Sequence, residues 1–253
     1  FWRNGESLHE AQVQLVERLA VRAQIPRDAA VLDVGCGFGG SALWLAQELG
    51  CTVLGITLSS VQAEIASERA RLAGLAARVR FEIADANHLD ARSERFDVVW
   101  TVECSEHLFD KAGFCASCAR LLRPGGRLAV CAWLARPSSR ADEDLIADVC
   151  RGMLCPSLGR MEDYFRWMDA AGFEGIQATD ITGNVAPTWD RVDAILRRRD
   201  VQTILRLSKP ATREFARACG SIRRAYALGA MGYGMFAAKI PAENSTRTIG
   251  AAR

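Results

Sequence analysis

The residues best suited to chemistry lie in the segment Val31-Leu32-Asp33-Val34-Gly35-Cys36-Gly37-Phe38-Gly39-Gly40. Glycines between a strand and a helix let the backbone approach a ligand closely, because no side chain intervenes. Asp33, two residues ahead of the first glycine, sets a carboxylate beside that turn. There it can hold a cationic amino group, such as that of a methionine moiety, directly or through water. The Gly35-x-Gly37-x-x-Gly40 spacing also satisfies the dinucleotide fingerprint, a weak match by itself. The next strand argues against a dinucleotide, since it ends Gly55-Ile56-Thr57 with no Asp or Glu for ribose hydroxyls. Asp85, at the end of a third strand, can accept a hydrogen bond from an adenine amino group. A second titratable group, Glu103, Glu106 and His107, follows a fourth strand.

These groups need a scaffold that brings separate strand ends together, and the hydrophobic pattern provides one. Leu8, Ala11, Leu15 and Leu19 recur at helical spacing and predict a helix over 7–23. Strands are expected at 30–34, 51–56, 79–83, 96–101 and 127–133. Helices at 41–49, 60–72 and 111–122 alternate with them, the second capped by Ser59 or Ser60 and the third closed by Pro124-Gly125-Gly126. Such alternation predicts a mostly parallel sheet covered on both faces, with ligands beyond the carboxyl ends of the strands. After Trp133 the pattern changes to helices at 142–154 and 161–171, a strand at 173–179, helices at 187–207 and 212–227, and a closing strand at 233–240.

The expected fold is α/β: a Rossmann-like, doubly wound, mostly parallel sheet with a helical cap inserted after strand 5 and between the last two strands. One domain accounts for 1–253, with its core at 24–135 and 172–240, cap helices at 140–171 and 187–229, and an N-terminal lid helix at 6–23. The tail from Asn244 onward is expected to be loose.

Composition narrows the partners. A chain of 253 residues with 49% hydrophobic and 25% charged residues reads as an ordinary globular protein. A formal net charge of +2 gives no basis for nucleic-acid binding. The basic residues are nearly all Arg, the only lysines being Lys111, Lys209 and Lys239. Nine cysteines, an odd number with no signal peptide ahead of them, predict free thiols and a cytoplasmic location. Cys115 and Cys118 form a CxxC inside a helical pattern, without a second pair or a nearby histidine, so they read as buried small residues and no metal is expected. No apolar run is long enough to span a membrane. The chain begins at Phe1 rather than Met, so further natural sequence is expected ahead of it.

Asp33-x-Gly35-x-Gly37-x-Gly39 resembles the first motif of the class I methyltransferases, and Ala84-Asp85-Ala86 resembles the segment flanking the adenine of their cofactor. Gly55-Ile56-Thr57-Leu58-Ser59-Ser60-Val61-Gln62 resembles the second-strand signature of the gamma-tocopherol methyltransferase-like family. Glu103-Cys104-Ser105-Glu106-His107-Leu108-Phe109-Asp110-Lys111 resembles its fourth-strand exit, and Asn184-Val185-Ala186-Pro187-Thr188-Trp189 a segment of its cap. The similarity runs from Gly5 to Ile240. It implies S-adenosylmethionine as methyl donor and S-adenosylhomocysteine as product. It places Asp33, Gly35, Gly37, Gly39, Asp85 and Ala86 at the cofactor. Thr57, Leu58 and Gln62 would line the ribose, where many class members carry an acid. The family methylates carbon, oxygen and nitrogen, so the resemblance fixes the donor better than the acceptor.

With a sulfonium already activated as leaving group, the protein must hold the acceptor in line and exclude water, and orientation of that kind contributes roughly 7–11 kcal/mol. A phenol, hydroxyl or ring carbon must also lose a proton, for which a general base supplies about 10²- to 10⁴-fold. An imidazole is the side chain best suited to exchange a proton near neutral pH, and His107 follows the fourth strand, so it is the expected base; packing over the methionine moiety is its alternative role. Glu103 is expected to orient the imidazole or the acceptor, Glu106 being the weaker candidate. His9 and His88 read as incidental.

The fifth strand leaves as Val130-Cys131-Ala132-Trp133, without the acid that related sugar O-methyltransferases place there. The tocopherol-like relatives have a similar apolar-Trp ending, which favours a phenol or isoprenoid-like acceptor. Met153, Leu154, Cys155, Pro156, Phe165, Trp167, Met168, Trp189, Val192 and Ile195 offer apolar surface, part of it for the acceptor. Arg197-Arg198-Arg199 reads as a solvated helix face, or as a grip on a substrate carboxylate or phosphate. Trp2 and Arg3 are expected in a lid over the cofactor. The expected activity is C- or O-methylation of a small, lipophilic aromatic or isoprenoid molecule. N-methylation of a small amine or alkaloid is one alternative, and a cofactor-retaining protein that binds or cyclises a ligand is another. An NAD-dependent oxidoreductase is disfavoured by Asp33 and the neutral second-strand end.

Overall fold

The structure, a computed structural model, describes residues 1–3, 5–93 and 95–242. The tail expected to be loose lies outside the described residues. Seven strands form one sheet in the order β3-β2-β1-β4-β5-β7-β6. They are β1 (Ala30–Val34), β2 (Thr52–Thr57), β3 (Val79–Ile83), β4 (Phe96–Val102), β5 (Leu122–Ala135), β6 (Glu174–Asp180) and β7 (Met231–Lys239). The first five pair in parallel, while β7 runs antiparallel to both β5 and β6. This is the Rossmann-like, mostly parallel architecture expected from the alternation.

Burial on both faces explains why the central strands read as continuous apolar runs. Along β4, Val98 and Trp100 enter one core and Val99 the other; Val31 and Leu32 of β1 divide in the same way. Helices α1 (Leu8–Arg22), α2 (Gly40–Leu49), α3 (Ser60–Leu72), α4 (Lys111–Leu121), α5 (Arg140–Met153) and α6 (Met161–Ala170) cover these faces or connect the strands. Ser7, Ser59 and Asp110 cap α1, α3 and α4 by accepting from backbone N–H groups of the first turn. Between β6 and β7 lie α7 (Thr182–Val185), α8 (Pro187–Leu196), α9 (Arg199–Leu207) and α10 (Pro210–Ala227). The last of these packs on α5 and α8, whereas α6 packs on α4 and β6.

Two boundaries differ from the sequence expectation. The helix expected over 187–207 is broken, because Arg198 is extended (φ −63°, ψ 141°) and caps α9 rather than continuing α8. Strand β5 begins at Leu122, which pairs with Phe96, and a register shift between Phe96 and Val98 absorbs the Pro124-Gly125-Gly126 turn within the strand.

Candidate active site

The functional side chains gather where the parallel strands end. In register, Asp33 of β1 lies beside Gly55 of β2 and Trp100 of β4, and Thr57 of β2 beside Ile83 of β3. Gly35, Asp85 and Glu103 therefore follow, and Thr57 ends, strands that stop at one edge. The N–H groups of Gly35 and Cys36 both donate to the Ile56 carbonyl at 3.0 Å, which locks the first two strand ends together.

The glycine turn is shaped by close approach. Gly35 has φ +74°, and a Cβ there would lie 2.4 Å from Cys104 Cβ and Sγ. Gly39 has φ +78°, and its Cβ would meet the Phe81 ring at 2.6 Å. Both positions require glycine on conformation and on space. Gly37, by contrast, faces open space.

Asp33 is buried, at 2% exposure, and its Oδ2 has no hydrogen-bond partner. Burial raises its carboxyl to about 7, partly offset by the Ala42 N–H in the first turn of α2. An unpaired buried oxygen is costly, so it fits a site that a cationic ligand completes. Thr57 is buried and its Oγ1 donates to Gln62 Oε1 at 2.7 Å, while Leu58 beside it is exposed. Asp85 caps the 3-10 turn Ala86–Ala91. Its carboxylate accepts from Asn87 N and Nδ2, both at 2.9 Å, and His88 Nδ1 lies 3.1 Å away. The Asn87 backbone bond leads the effects that hold Asp85 below the ordinary carboxylate value. His88 is exposed, with Asp85 as its contact.

The second titratable group lines a cavity of ≈ 270 Å³ between the sheet edge and the helices of the last insertion. Glu103, Glu106, His107, Trp133, Met153, Trp189 and Phe215 form its wall. Glu103 leaves β4 in the left-handed region (φ +52°), an uncommon conformation for a non-glycine residue, and is accessible from the cavity. The Tyr233 hydroxyl donates to Glu103 Oε1 at 2.8 Å. Enclosure by protein raises the Glu103 carboxyl above its usual value, offset by Tyr233 and the Trp133 indole.

Glu106 is 1% exposed, and burial pushes it up to about 8. Strand β5 outruns β4 at this end, and Glu106 Oε1 accepts the Trp133 backbone N–H at 2.5 Å, a donor that β4 no longer reaches. His107 is exposed, in the 3-10 turn Ser105–His107. Its Nδ1 lies 3.4 Å from the Leu154 carbonyl oxygen and 3.6 Å from Cys155 Sγ. No hydrogen bond joins Glu103 to His107 among the described residues; the carboxylate turns to Tyr233 instead.

Of the ten apolar residues offered as acceptor surface, Met153 and Trp189 reach this wall. Met168 lies in the core beneath α6, and Trp167 packs edge-on against Tyr164. Trp189 meets Trp133 edge-to-face, with ring centroids 5.8 Å apart. Trp2 and Arg3 line a different cavity with Gln14, Arg18 and Asn184, and the Arg18 guanidinium sits 4.9 Å above the Trp2 ring. All nine cysteines are free, Cys115 and Cys118 among the buried ones. Sequence reasoning passed over Tyr233, Phe215 and Lys111. The last is 5% exposed, and its Nζ donates to the Leu108 carbonyl at 2.8 Å and to Ser157 Oγ at 3.2 Å, tying the His107 turn to the segment after α5.

Comparison with known proteins identifies the family. The family model described as a methyltransferase domain matches residues 32–130. A probable chloroplastic tocopherol O-methyltransferase from Oryza sativa subsp. japonica is 35% identical over 194 residues, 72% of this chain and 54% of that protein. The methyltransferase GfsG from Streptomyces halstedii is 35% identical over 196 residues, 76% of this chain and 70% of that protein. Among solved structures, the [4+2]-cyclase SpnF is similar with a TM-score of 0.80 at 26% identity, over 96% of this chain and 87% of that one. The chain belongs to the class I S-adenosylmethionine-dependent methyltransferases and, within them, to the tocopherol methyltransferase-like family. It spans about half the length of the plant tocopherol O-methyltransferases it matches. No helix among the described residues is long and apolar enough to cross a membrane.

Proposed function

We propose that this chain transfers a methyl group from S-adenosylmethionine to a small, lipophilic aromatic or isoprenoid acceptor, at carbon or oxygen, in the cavity lined by Trp133, Trp189 and Phe215. The observation that carries this reading is the pairing, at one sheet edge, of an unpartnered buried carboxylate oxygen on Asp33 with that apolar cavity. S-adenosylmethionine, when bound, supplies a methyl group activated by a sulfonium.

The residues divide the remaining work. Asp33 holds the ammonium of the methionine moiety, and the Gly35, Gly37 and Gly39 turn leaves room for it. The bond from Thr57 to Gln62 Oε1 leaves the Gln62 amide NH₂ to donate to a ribose hydroxyl, with Leu58 against the sugar. Asp85 and Ala86 take the adenine edge. At the acceptor, a Nδ1–H directed to the Leu154 carbonyl selects the tautomer that leaves His107 Nε2 free to accept a proton. Glu103, held by Tyr233, orients the acceptor. Glu106, protonated at neutral pH with its carboxyl at about 8, adds no charge and secures the end of β5. In this reading the chain is one domain, with α5 and α8–α10 as the cap, while the helix expected in the cap at 161–171, α6, packs on α4 and β6 instead.

The likeness to a cyclase supports a second reading, in which the cofactor is retained and the cavity shapes a ligand without methylating it. Mass spectrometry of reactions with S-adenosylmethionine and a panel of quinols, phenols and isoprenoids separates the two. Methylated product should appear in step with S-adenosylhomocysteine. A rearranged product without S-adenosylhomocysteine would favour the second reading, and a dinucleotide bound in the crevice would overturn both.

A further inference from the structure

Helix α9 is amphipathic, yet it buries none of its nine residues. At 100° per residue, Val201, Ile204, Leu205 and Leu207 share one side and Arg199, Gln202, Thr203 and Arg206 the other; Asp200, the one acid of the helix, falls on the apolar side between Leu207 and Ile204, where Arg198 pairs with it. Ile204 is 63% and Leu207 86% exposed. A helix this short gains little from propensity alone and needs its apolar face covered. The surrounding charge indicates what covers it. Residues 187–228 hold ten basic and four acidic side chains, whereas the whole chain has a net charge of only +2. Three of the four acids are neutralised in ion pairs, Asp190 with Arg223, Asp193 with Arg197 and Asp200 with Arg198. Arg199, Arg206 and Lys209 are exposed, with no ion pair among the described residues.

We propose that this face docks on the surface of anionic lipid membranes, with α9 lying in the interface plane. Apolar side chains enter the acyl boundary while arginines and a lysine meet lipid phosphates, a combination that neither a neutral bilayer nor a nucleic acid satisfies as well. Phe215 of α10, a wall residue of the acceptor cavity, is itself 54% exposed, so the cavity opens among these same helices. Docking therefore sets the cavity near a source of lipophilic molecules. Docking does not depend on which acceptor is methylated.

The test is flotation of the full chain with phosphatidylcholine vesicles, with and without phosphatidylglycerol, in the absence of any acceptor. Binding should require phosphatidylglycerol and should fall as salt screens the charges. The double variant Ile204→Glu/Leu207→Glu should bind at least about tenfold more weakly. Because neither side chain is buried, it should keep the wild-type unfolding midpoint and S-adenosylhomocysteine affinity. No flotation with phosphatidylglycerol, or equal flotation of the variant, overturns the proposal. A wild-type dimer that the variant converts to monomer in sedimentation equilibrium assigns the face to a second copy of the chain instead.

Discussion

The crevice at the ends of β1, β2 and β3 and the cavity beneath α8 and α10 share one edge of the sheet but are built differently. The crevice is made mostly of backbone, with a left-handed glycine turn, strand ends held in register and one buried carboxylate. A single added methyl at Gly35 would strike Cys104 at 2.4 Å. The cavity is made of side chains from the turn after β4 and from β5, α5, α8 and α10, brought together by helix packing. Such a wall can change shape by exchanging one side chain while the strands stay in place. The contrast explains how a fold can keep one cofactor while its acceptors vary.

Four substitutions probe the division. The largest effect is expected in the crevice, where Asp33→Asn should weaken S-adenosylhomocysteine binding about 10²- to 10³-fold by calorimetry, because a buried charge pair loses one partner. Wild-type affinity should also fall below about pH 7, since the Asp33 proton must leave before the ammonium binds, and the variant should lose that dependence. The stability effect has the opposite sign. The folded Asp33 carboxyl is raised from 3.8 to about 7, so the free protein is favoured at low pH and loses stability as pH rises across that interval. In Asp33→Asn that loss, on the order of 4 kcal/mol, should disappear from urea denaturation curves. An unchanged affinity would remove the carboxylate from the crevice's function.

His107→Ala should leave S-adenosylhomocysteine affinity intact and lower turnover by at least about 10²-fold. Unchanged turnover would make the imidazole a packing group. Trp189→Ala removes the edge-to-face partner of Trp133 and part of the cavity wall. It should raise the acceptor KM about tenfold without touching cofactor affinity, since a buried aromatic contact contributes roughly 1 kcal/mol beyond its area. A comparable loss of cofactor affinity would show that the two regions are not separable.

The same division decides what could be read from sequence. The crevice was legible because each part lies within a few residues of a strand end: the strands expected at 30–34 and 79–83 are those observed. Asp33, Gly35, Thr57 and Asp85 follow directly from that placement. The cavity was not. Tyr233 meets Glu103 across 130 residues of sequence, and no local period announces a contact made by an antiparallel last strand. Phe215 sits on a helix whose buried residues, Ala218, Cys219 and Ile222, show which side is covered but not that one turn earlier the cover ends at a cavity. The break at Arg198 has neither Gly nor Pro to mark it. Apolar residues in the cap region were countable, but their direction depended on packing, which sent Met168 to the core and Trp189 to the wall.

The smallest predicted effect tests the one contact that joins the cavity to the last strand. Tyr233→Phe removes a hydroxyl that donates to Glu103 Oε1 and leaves the fully buried ring in place. The bond stabilises the ionised carboxylate against an enclosure that otherwise raises it, so its loss should push Glu103 further up. A hydrogen bond to a charged group contributes about 1.5 kcal/mol, close to one pH unit. If ionised Glu103 orients the acceptor, the acid limb of the kcat/KM profile should move up by about that unit, with less than about a threefold change on the alkaline plateau. A profile that stays where it was would mean that Glu103 does not titrate during turnover. Proton removal in the cavity would then rest on His107 alone, and the left-handed turn that carries Glu103 would serve only to end β4.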